Sequence, residues 1–382
     1  MRVSVHSAIA AIPASDWNAL AGEDYPFLRH EFLLAAEQSG CVSPQSGWTP
    51  RHITLSQDGS IVAALPLYEK SHSWGEFVFD WAWAQAYTQA GLNYYPKLVS
   101  AVPFTPAPSR RLLLRDRDDR EAQAALLDAA VALARDTGCS SLHILFPDSP
   151  DLPPLRGSDL KLRKDCQFHW HNRGYADFDD FLRTFSARKR KKVRQDRRRV
   201  ADAGIVFRRL HGKNLDRSSW RIVHRMISNT FMRRGSMPYF NLDFFIRVSS
   251  TLPENILVVL AEHRDEPVAA AVFFESERVL YGRYWGSDGH YDALHFETCY
   301  YQGIEYCIES GKKIFEPGTQ GEHKISRGFV PVETWSAHWL RQPEFFSAVS
   351  DYLDRERRHV DRYMEAVDEH SPYRKNAAPG ES

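Results

Sequence analysis

Apolar and polar positions alternate with a period of two through RHITLSQDGSIVAALPLYEK, broken once at Asp58-Gly59. Alternation on both sides of such a dipeptide predicts a hairpin with one buried face. The stretch ILVVLAEHRDEPVAAAVFFESERVLYGRYWGS repeats the plan, with a polar turn around Asp265-Glu266 and then a third strand. Each hairpin leads into an apolar-periodic helix, a glycine stop and a buried strand ending at proline. The first copy is LLDAAVALARDTGCSSLHILFP, with Gly138 and Pro147; the second is TCYYQGIEYCIESGKKIFEPG, with Gly311 and Pro317. This order predicts a duplicated α/β domain with mixed sheets, not a solenoid, whose repeats are far shorter.

The first copy is longer by the aromatic-rich insertion DWAWAQAYTQAGLNYYPKL, whose Asp80, Trp81 and Trp83 are placed at the end of an aromatic strand. At the N-terminus, RVSVH reads as a strand, and Ser15 or Asp16 as the cap of the following helix. CQFHWHN reads as a strand and 178–203 as one helix. IVFRRL is the first strand of the second domain and SWRIVHRMISNTFMRR its first helix. The domains expected are 1–165, 166–342 with its preceding basic helix, a C-terminal helix over 343–370, and a disordered tail over 371–382.

The 382 residues carry 49 Lys and Arg against 49 Asp and Glu, so overall charge selects no partner. Five cysteines without a CxxC pair point to a reducing compartment, and no stretch reaches the ~18 apolar residues of a membrane helix. A cytoplasmic protein without stable membrane insertion is expected; the oligomeric state is not legible. Local charge is more telling. From Arg188 to Arg199, nine of twelve positions are Lys or Arg. On a helix this is either a solvated face or a contact for phosphates, and tRNA is the partner it would suit.

The strings FLRHEFL, LPLYEKSHSWGEFVFDWAW, YYPKL, VPFTP, HWHNRGY and FEPGTQGEHKISRGF resemble the Fem-like peptidoglycan biosynthesis/recognition family of predicted N-acyltransferases, over about Trp17 to Lys375. The resemblance implies two tandem GNAT-like acyltransferase domains plus a C-terminal helix. It also implies transfer of an acyl or aminoacyl group, from acyl-CoA or aminoacyl-tRNA, to an amine acceptor such as a cell-wall precursor.

Such an enzyme needs amides for a pyrophosphate if coenzyme A is the donor, a proton acceptor for the amine, and a donor for the developing oxyanion. The Gly-rich pyrophosphate loop is absent in clean form, which puts coenzyme A in question and favours aminoacyl-tRNA. Pro103 and Thr105 of VPFTP, with Arg110 and Arg111, occupy the corresponding place. The densest polar segment is GTQGEHKISRG, after a buried strand. In it Glu322, His323 and Lys324 are the catalytic candidates, and Gln320 and Arg327 would bind substrate. Further binding candidates are Glu31, Asp80, Trp83, Tyr95 and Lys97 in the first half, and Arg283, Tyr284 and His295 in the second. Glu31 also suits a helix start, and Trp83 also suits a core.

His169 and His171 share a strand face, a spacing metals use, but no third ligand follows and no metal is expected. The alternative to catalysis is a non-catalytic GNAT scaffold that recognises a cell-wall precursor or nucleic acid.

Overall fold

Both hairpins turn where the backbone enters the left-handed region. Asp58 and Gly59 have φ of 51° and 81° and join strands His52–Gln57 and Ser60–Leu65. In the second hairpin the left-handed pair is Arg264 and Asp265, φ 54° and 64°, one residue earlier than the expected turn. It joins Ile256–His263 to Glu266–Glu275. Two successive left-handed residues match the twist of the flanking strands. The computed structural model describes residues 1–319 and 321–374.

The chain divides into two compact units. The first holds Met1–Cys166 and Glu333–Asp361; the second holds Gln167–Val332 and the chain from Arg362 onward. The expected separate C-terminal helix is therefore no unit of its own. Helix Pro343–Asp368 serves the first unit as far as Asp361, and its apolar positions Val349 and Leu353 pack with Trp83, Tyr87 and Tyr94.

In the first unit, Arg2–His6, His52–Gln57, Ser60–Leu65 and Leu113–Leu114 form an antiparallel sheet in that order. Other strands run Trp48–Pro50, Tyr68–Lys70, Lys97–Ser100 and Ser141–Leu145, the last paired with residues 336–340. Helix Arg120–Asp136 covers them. Its Ala122, Leu126, Ala130 and Ala134 recur every four residues and pack with Ile53, Leu55, Leu65, Leu142 and Ile144. Asp119 caps its start by accepting from the Ala122 amide at 2.9 Å, and Gly138, φ 74°, ends it.

In the second unit the strand order is Ile205–His211, Ile256–His263, Glu266–Glu275, Val279–Ser287, Ile314–Glu316 and then the end of Lys161–His171. Helix Arg217–Met232 crosses this sheet at Gly286, where a Cβ would lie 2.2 Å from the Ile227 amide nitrogen. From Leu294 a helical run continues to Glu309, with a π-helical turn at Glu297–Tyr301. The two units make a mixed α/β, tandem GNAT-like fold. Among the described residues no helix is long and apolar enough to cross a membrane.

Four local expectations need correction. Trp81 and Trp83 lie on helix Trp81–Gln89, because an N-terminal Asp followed by alanines at 82, 84 and 86 favours helix over strand. The expected single helix over 178–203 is two, Phe178–Arg183 and Ala187–Asp202. The first helix, Ala14–Ala21, begins directly after Pro13 and has no side-chain cap from Ser15 or Asp16. In the tail expected to be disordered, Tyr373 is half-buried and donates to the Gly328 carbonyl at 2.7 Å. Residues 375–382 lie outside the described residues.

Candidate functional site

Strands Val279–Ser287 and Ile314–Glu316 are parallel and pair over three residues, from Val279 with Ile314 to Tyr281 with Glu316. Pro317 then lacks an N–H, and the ladder stops. Carboxyl ends of parallel strands are where α/β folds place ligands. Here Arg283 and Glu316 form a buried ion pair at 2.7 Å. The chain after Pro317 turns through Gly318 and Gly321, φ 90° and 112°, into the short helix Glu322–Arg327, which Gly328, φ 92°, ends. A Cβ on Gly321 would meet the His323 ring at 2.1 Å, so the turn needs glycine.

This turn drives Lys324 inward. It is 1% exposed, and its Nζ donates to the Gly318 carbonyl at 2.6 Å. Burial brings its ammonium down to about 7, with Glu316 opposing and Arg283 assisting. A lysine of this kind exchanges a proton near neutrality. The Cys299 thiol, on the π-helical turn, is pushed far up by burial, with Lys324 opposing, so it stays protonated. His169 is lowered to about 3 by burial, then by His171, Lys324 and Arg283, and is neutral.

Beside Lys324 stands a group of rings. His295 packs edge-on to Trp285 and Tyr300, with centroids at 5.2 Å and 5.4 Å. Burial and the neighbouring His323 lower it to about 4. The Tyr300 hydroxyl and His323 Nε2 are 2.9 Å apart. Arg327 lies 3.5 Å over the Phe296 ring and donates to the His323 carbonyl at 2.6 Å, so it braces the turn. Glu322 is exposed and accepts from the Tyr363 hydroxyl at 2.9 Å. Tyr284 is turned into an aromatic core with Phe245 at 5.5 Å. Gln320 lies outside the described residues.

A pocket of about 210 Å³ opens at the helix start at Leu294, lined by Trp285, Ser287, His290, Asp292, His295 and Phe296. Ala293 before that helix has φ 65° and offers no side-chain cap. The start is free of a capping group, yet the pocket carries the Asp292 carboxylate, which opposes a pyrophosphate there.

The first unit assembles a second polar cluster. Lys97 is fully buried; its Nζ donates to Glu76 and Ser73, each at 2.8 Å, and to Asp80. Asp80 also accepts from the Tyr94 hydroxyl at 2.6 Å, and Tyr95 meets Ser73 at 2.9 Å. Although burial works against it, Lys97 brings the Asp80 carboxyl down to about 2, whereas burial pushes Glu76 up to about 7. His143 and His338, facing positions on paired strands, approach at 2.6 Å between Nδ1 atoms. Trp83 packs edge-on to His338 at 4.9 Å and is core.

Glu31 stands apart from this cluster, held by Arg29 and Asn18, each at 3.1 Å. Around VPFTP the groups face inward. Pro103 and Thr105 are buried, and the Thr105 hydroxyl donates to the Pro103 carbonyl at 3.0 Å. The fully buried Arg111 donates to the carbonyls of Leu145 at 2.8 Å and Ala107 at 3.1 Å. Its bonds are spent on the fold. Arg110 is partly exposed, 4.0 Å from Asp148.

Along the basic helix Ala187–Asp202, Arg197 pairs with Glu297 and Glu305, Arg194 with Asp179, and Lys192 with Asp196. Arg188, Lys191, Arg198 and Arg199 are exposed and make no ion pair among the described residues.

His323, Lys324 and Arg327, named from one segment of the sequence, lie near Arg283 and His295, which the sequence offered separately. His169, noted in the sequence only as a strand-face pair with His171, joins them too. Cys299 and Tyr300 join them without any motif to announce it, and Glu76, His143 and His338 were likewise missed in the first unit. Their one available signal was position: each sits on an element next to a candidate.

A family model described as peptidoglycan biosynthesis/recognition, FemAB-like, matches residues 8–375. No curated protein is detectably similar in sequence. Among solved structures, FemX is similar at 14% identity and a TM-score of 0.54, covering 92% of this chain and 100% of its own. L-PGS from Bacillus licheniformis is similar at 12% identity and a TM-score of 0.51, covering 87% of this chain and 98% of its own. At such identities these two neighbours speak for the fold alone.

Proposed function

Because the chain belongs to the FemAB-like peptidoglycan biosynthesis/recognition family, we propose that it is an N-acyltransferase with Lys324 at its reacting centre. It moves an acyl or aminoacyl group onto an amine acceptor, and family membership favours a cell-wall precursor as that acceptor. The observation that carries this reading is Lys324 itself, buried at the carboxyl ends of two parallel strands and brought down to about 7.

A neutral Lys324 takes the proton as the acceptor nitrogen attacks the donor's carbonyl carbon. The ammonium so formed lies in a site with little water, where its charge opposes the oxyanion of the tetrahedral intermediate. As the carbonyl re-forms and the bond to the leaving group breaks, the same proton passes to the leaving oxygen or sulfur. Arg283 and Glu316 hold positive and negative charge in balance beside it, and Arg327 fixes the turn that carries it.

Aminoacyl-tRNA is the donor we favour over acyl-CoA. The exposed cations Arg188, Lys191, Arg198 and Arg199 of the basic helix suit tRNA phosphates. The helix starts at Arg120 and Leu294 each carry a carboxylate that opposes a pyrophosphate: Asp119 caps the first and Asp292 lines the pocket at the second. The test is transfer to a cell-wall precursor amine with each donor, by wild type and Lys324→Met. Loss of transfer with folding intact supports the reading. Full activity in Lys324→Met, or no transfer from either donor, would sink it.

A further inference from the structure

Among the described residues, every exposed Trp and Phe lies in one stretch of the first unit. Trp74 is 61% exposed, Phe79 57% and Trp81 45%, and Leu92 stands exposed on the same excursion. Trp74 and Trp81 meet edge-on with centroids 6.1 Å apart. Isolated exposed apolar residues need no explanation, but three clustered aromatics do.

Charge is absent from the exposed positions of the same stretch. In a chain that is 26% charged, residues 71–96 include only two acidic residues and no Lys or Arg. Both carboxylates, Glu76 and Asp80, are drawn inward onto Lys97. His72 is half-buried, and burial followed by Lys70 lowers its ring, keeping it neutral. What remains outside is Trp, Phe, Leu, Ala, Gln, Thr, Ser, Asn, Gly and Pro.

The aromatic tip is also held from beneath. The buried Lys70 donates to the Trp74 carbonyl at 3.3 Å, and Arg163 donates to the Phe79 carbonyl at 2.7 Å. Arg163 is itself fixed by Glu356 at 2.7 Å. The aromatics are thus presented on an ordered backbone.

We propose that this surface, Trp74, Phe79, Trp81 and Leu92, is a peripheral docking face for the interfacial zone of a lipid bilayer without net charge. The match is one of charge and shape. Indole rings favour the boundary between headgroups and acyl chains, and an uncharged surface enters it without the cost of desolvating an ion. With no exposed cation, anionic lipid or nucleic acid gains nothing here. With no exposed carboxylate in this stretch, a basic partner gains nothing here. The face belongs to the first unit and Lys324 to the second, and the proposal stands whether or not the transferase reading does.

The experiment is sedimentation of the full chain with vesicles of pure phosphatidylcholine, at low and high salt. It is repeated with the triple variant Trp74→Ser/Phe79→Ser/Trp81→Ser, whose positions are exposed. Binding by wild type that persists at high salt, and falls at least tenfold in the triple variant, is expected. Quenching of wild-type tryptophan fluorescence by vesicles brominated near the headgroup end of the chain is expected too, and needs no variant. No binding to phosphatidylcholine, or binding only to phosphatidylglycerol vesicles that salt abolishes, would overturn the proposal. So would a wild-type dimer that the triple variant turns to monomer, since a second copy would then be the occupant.

Discussion

Asp80 stands at the N-cap of helix Trp81–Gln89, yet its carboxylate makes no bond to the helix amides and is given to Lys97 instead. An N-cap aspartate normally satisfies one of the free amides, for about 1 kcal/mol. Here that contribution is forgone in favour of a buried lysine, whose charge would otherwise have Glu76 and Ser73 as its remaining partners. Removing one member leaves the other charge buried without its counterpart. Lys97→Met is therefore expected to destabilise the protein by roughly 3–5 kcal/mol. Urea denaturation followed by circular dichroism measures it, and a loss below ~1 kcal/mol would contradict the ionic reading.

The Lys324 mechanism fixes the sign of a pH dependence. The neutral amine is the active form, so kcat/KM should climb as pH rises through about 7 and level off above it. A profile that falls across the same range would assign the active form to the ammonium. Removing the carboxylate of Glu316 by Glu316→Gln deletes a charge that raises Lys324, and the midpoint should move to lower pH.

Buried histidines predict acid sensitivity of the fold. Burial holds His143 at about 3 and His338 well below its usual range. In the unfolded chain both protonate below about 6.5. Lowering the pH from about 6.5 toward about 3 thus adds protons to the unfolded state alone, and stability drops over that window. Unfolding midpoints measured across it should flatten in His143→Gln/His338→Gln; an unchanged slope would rule the pair out as its source.

Gly286 offers a steric test. A methyl group there would meet the backbone of Ile227 and Met226, which belongs to a helix and cannot rotate aside. Gly286→Ala should cost about 1–3 kcal/mol or more through overpacking. A thermal midpoint equal to wild type would mean that helix Arg217–Met232 stands farther from the sheet.

For the donor, the combined change Arg188→Gln/Lys191→Gln/Arg198→Gln/Arg199→Gln should weaken aminoacyl-tRNA binding and flatten its salt dependence. The slope of log affinity against log salt is expected to drop by about 3–4, roughly 0.7–0.9 for each phosphate that is no longer neutralised. Filter binding at several salt concentrations reads it. An unaltered slope would return the basic helix to a solvated surface.

How far the sequence reached depended on the range of the interaction. The duplicated hairpin, helix and strand were legible because alternation, helical spacing and glycine stops are local signals, set by backbone geometry within a few residues. The turn at Arg264-Asp265 came out one residue off because both neighbouring dipeptides are polar. Trp81 and Trp83 were assigned to a strand because aromatic density favours strand, while the alanines between them decide for helix.

The Lys324 segment was conspicuous through its glycines and mixed charges, and the fold brings Arg283 and His295 into its neighbourhood. Tyr284, one residue from Arg283, is core against Phe245; the ladder slips by one residue at Arg283, so alternation alone does not separate the two. Lys97 and Asp80 could be named from the chain, but not their mutual bond, nor Glu76 as the third member.

Local patterning was thus sufficient for most of the elements, their order and the polar segment that holds Lys324. Burial and long-range pairing had to supply the rest: that Arg111 is spent on carbonyls, that His143 faces His338, and that Lys324 loses its proton near neutrality. A shifted pKa or a buried ion pair comes from excluded water and from charges distant in sequence, and neither leaves a trace in periodicity.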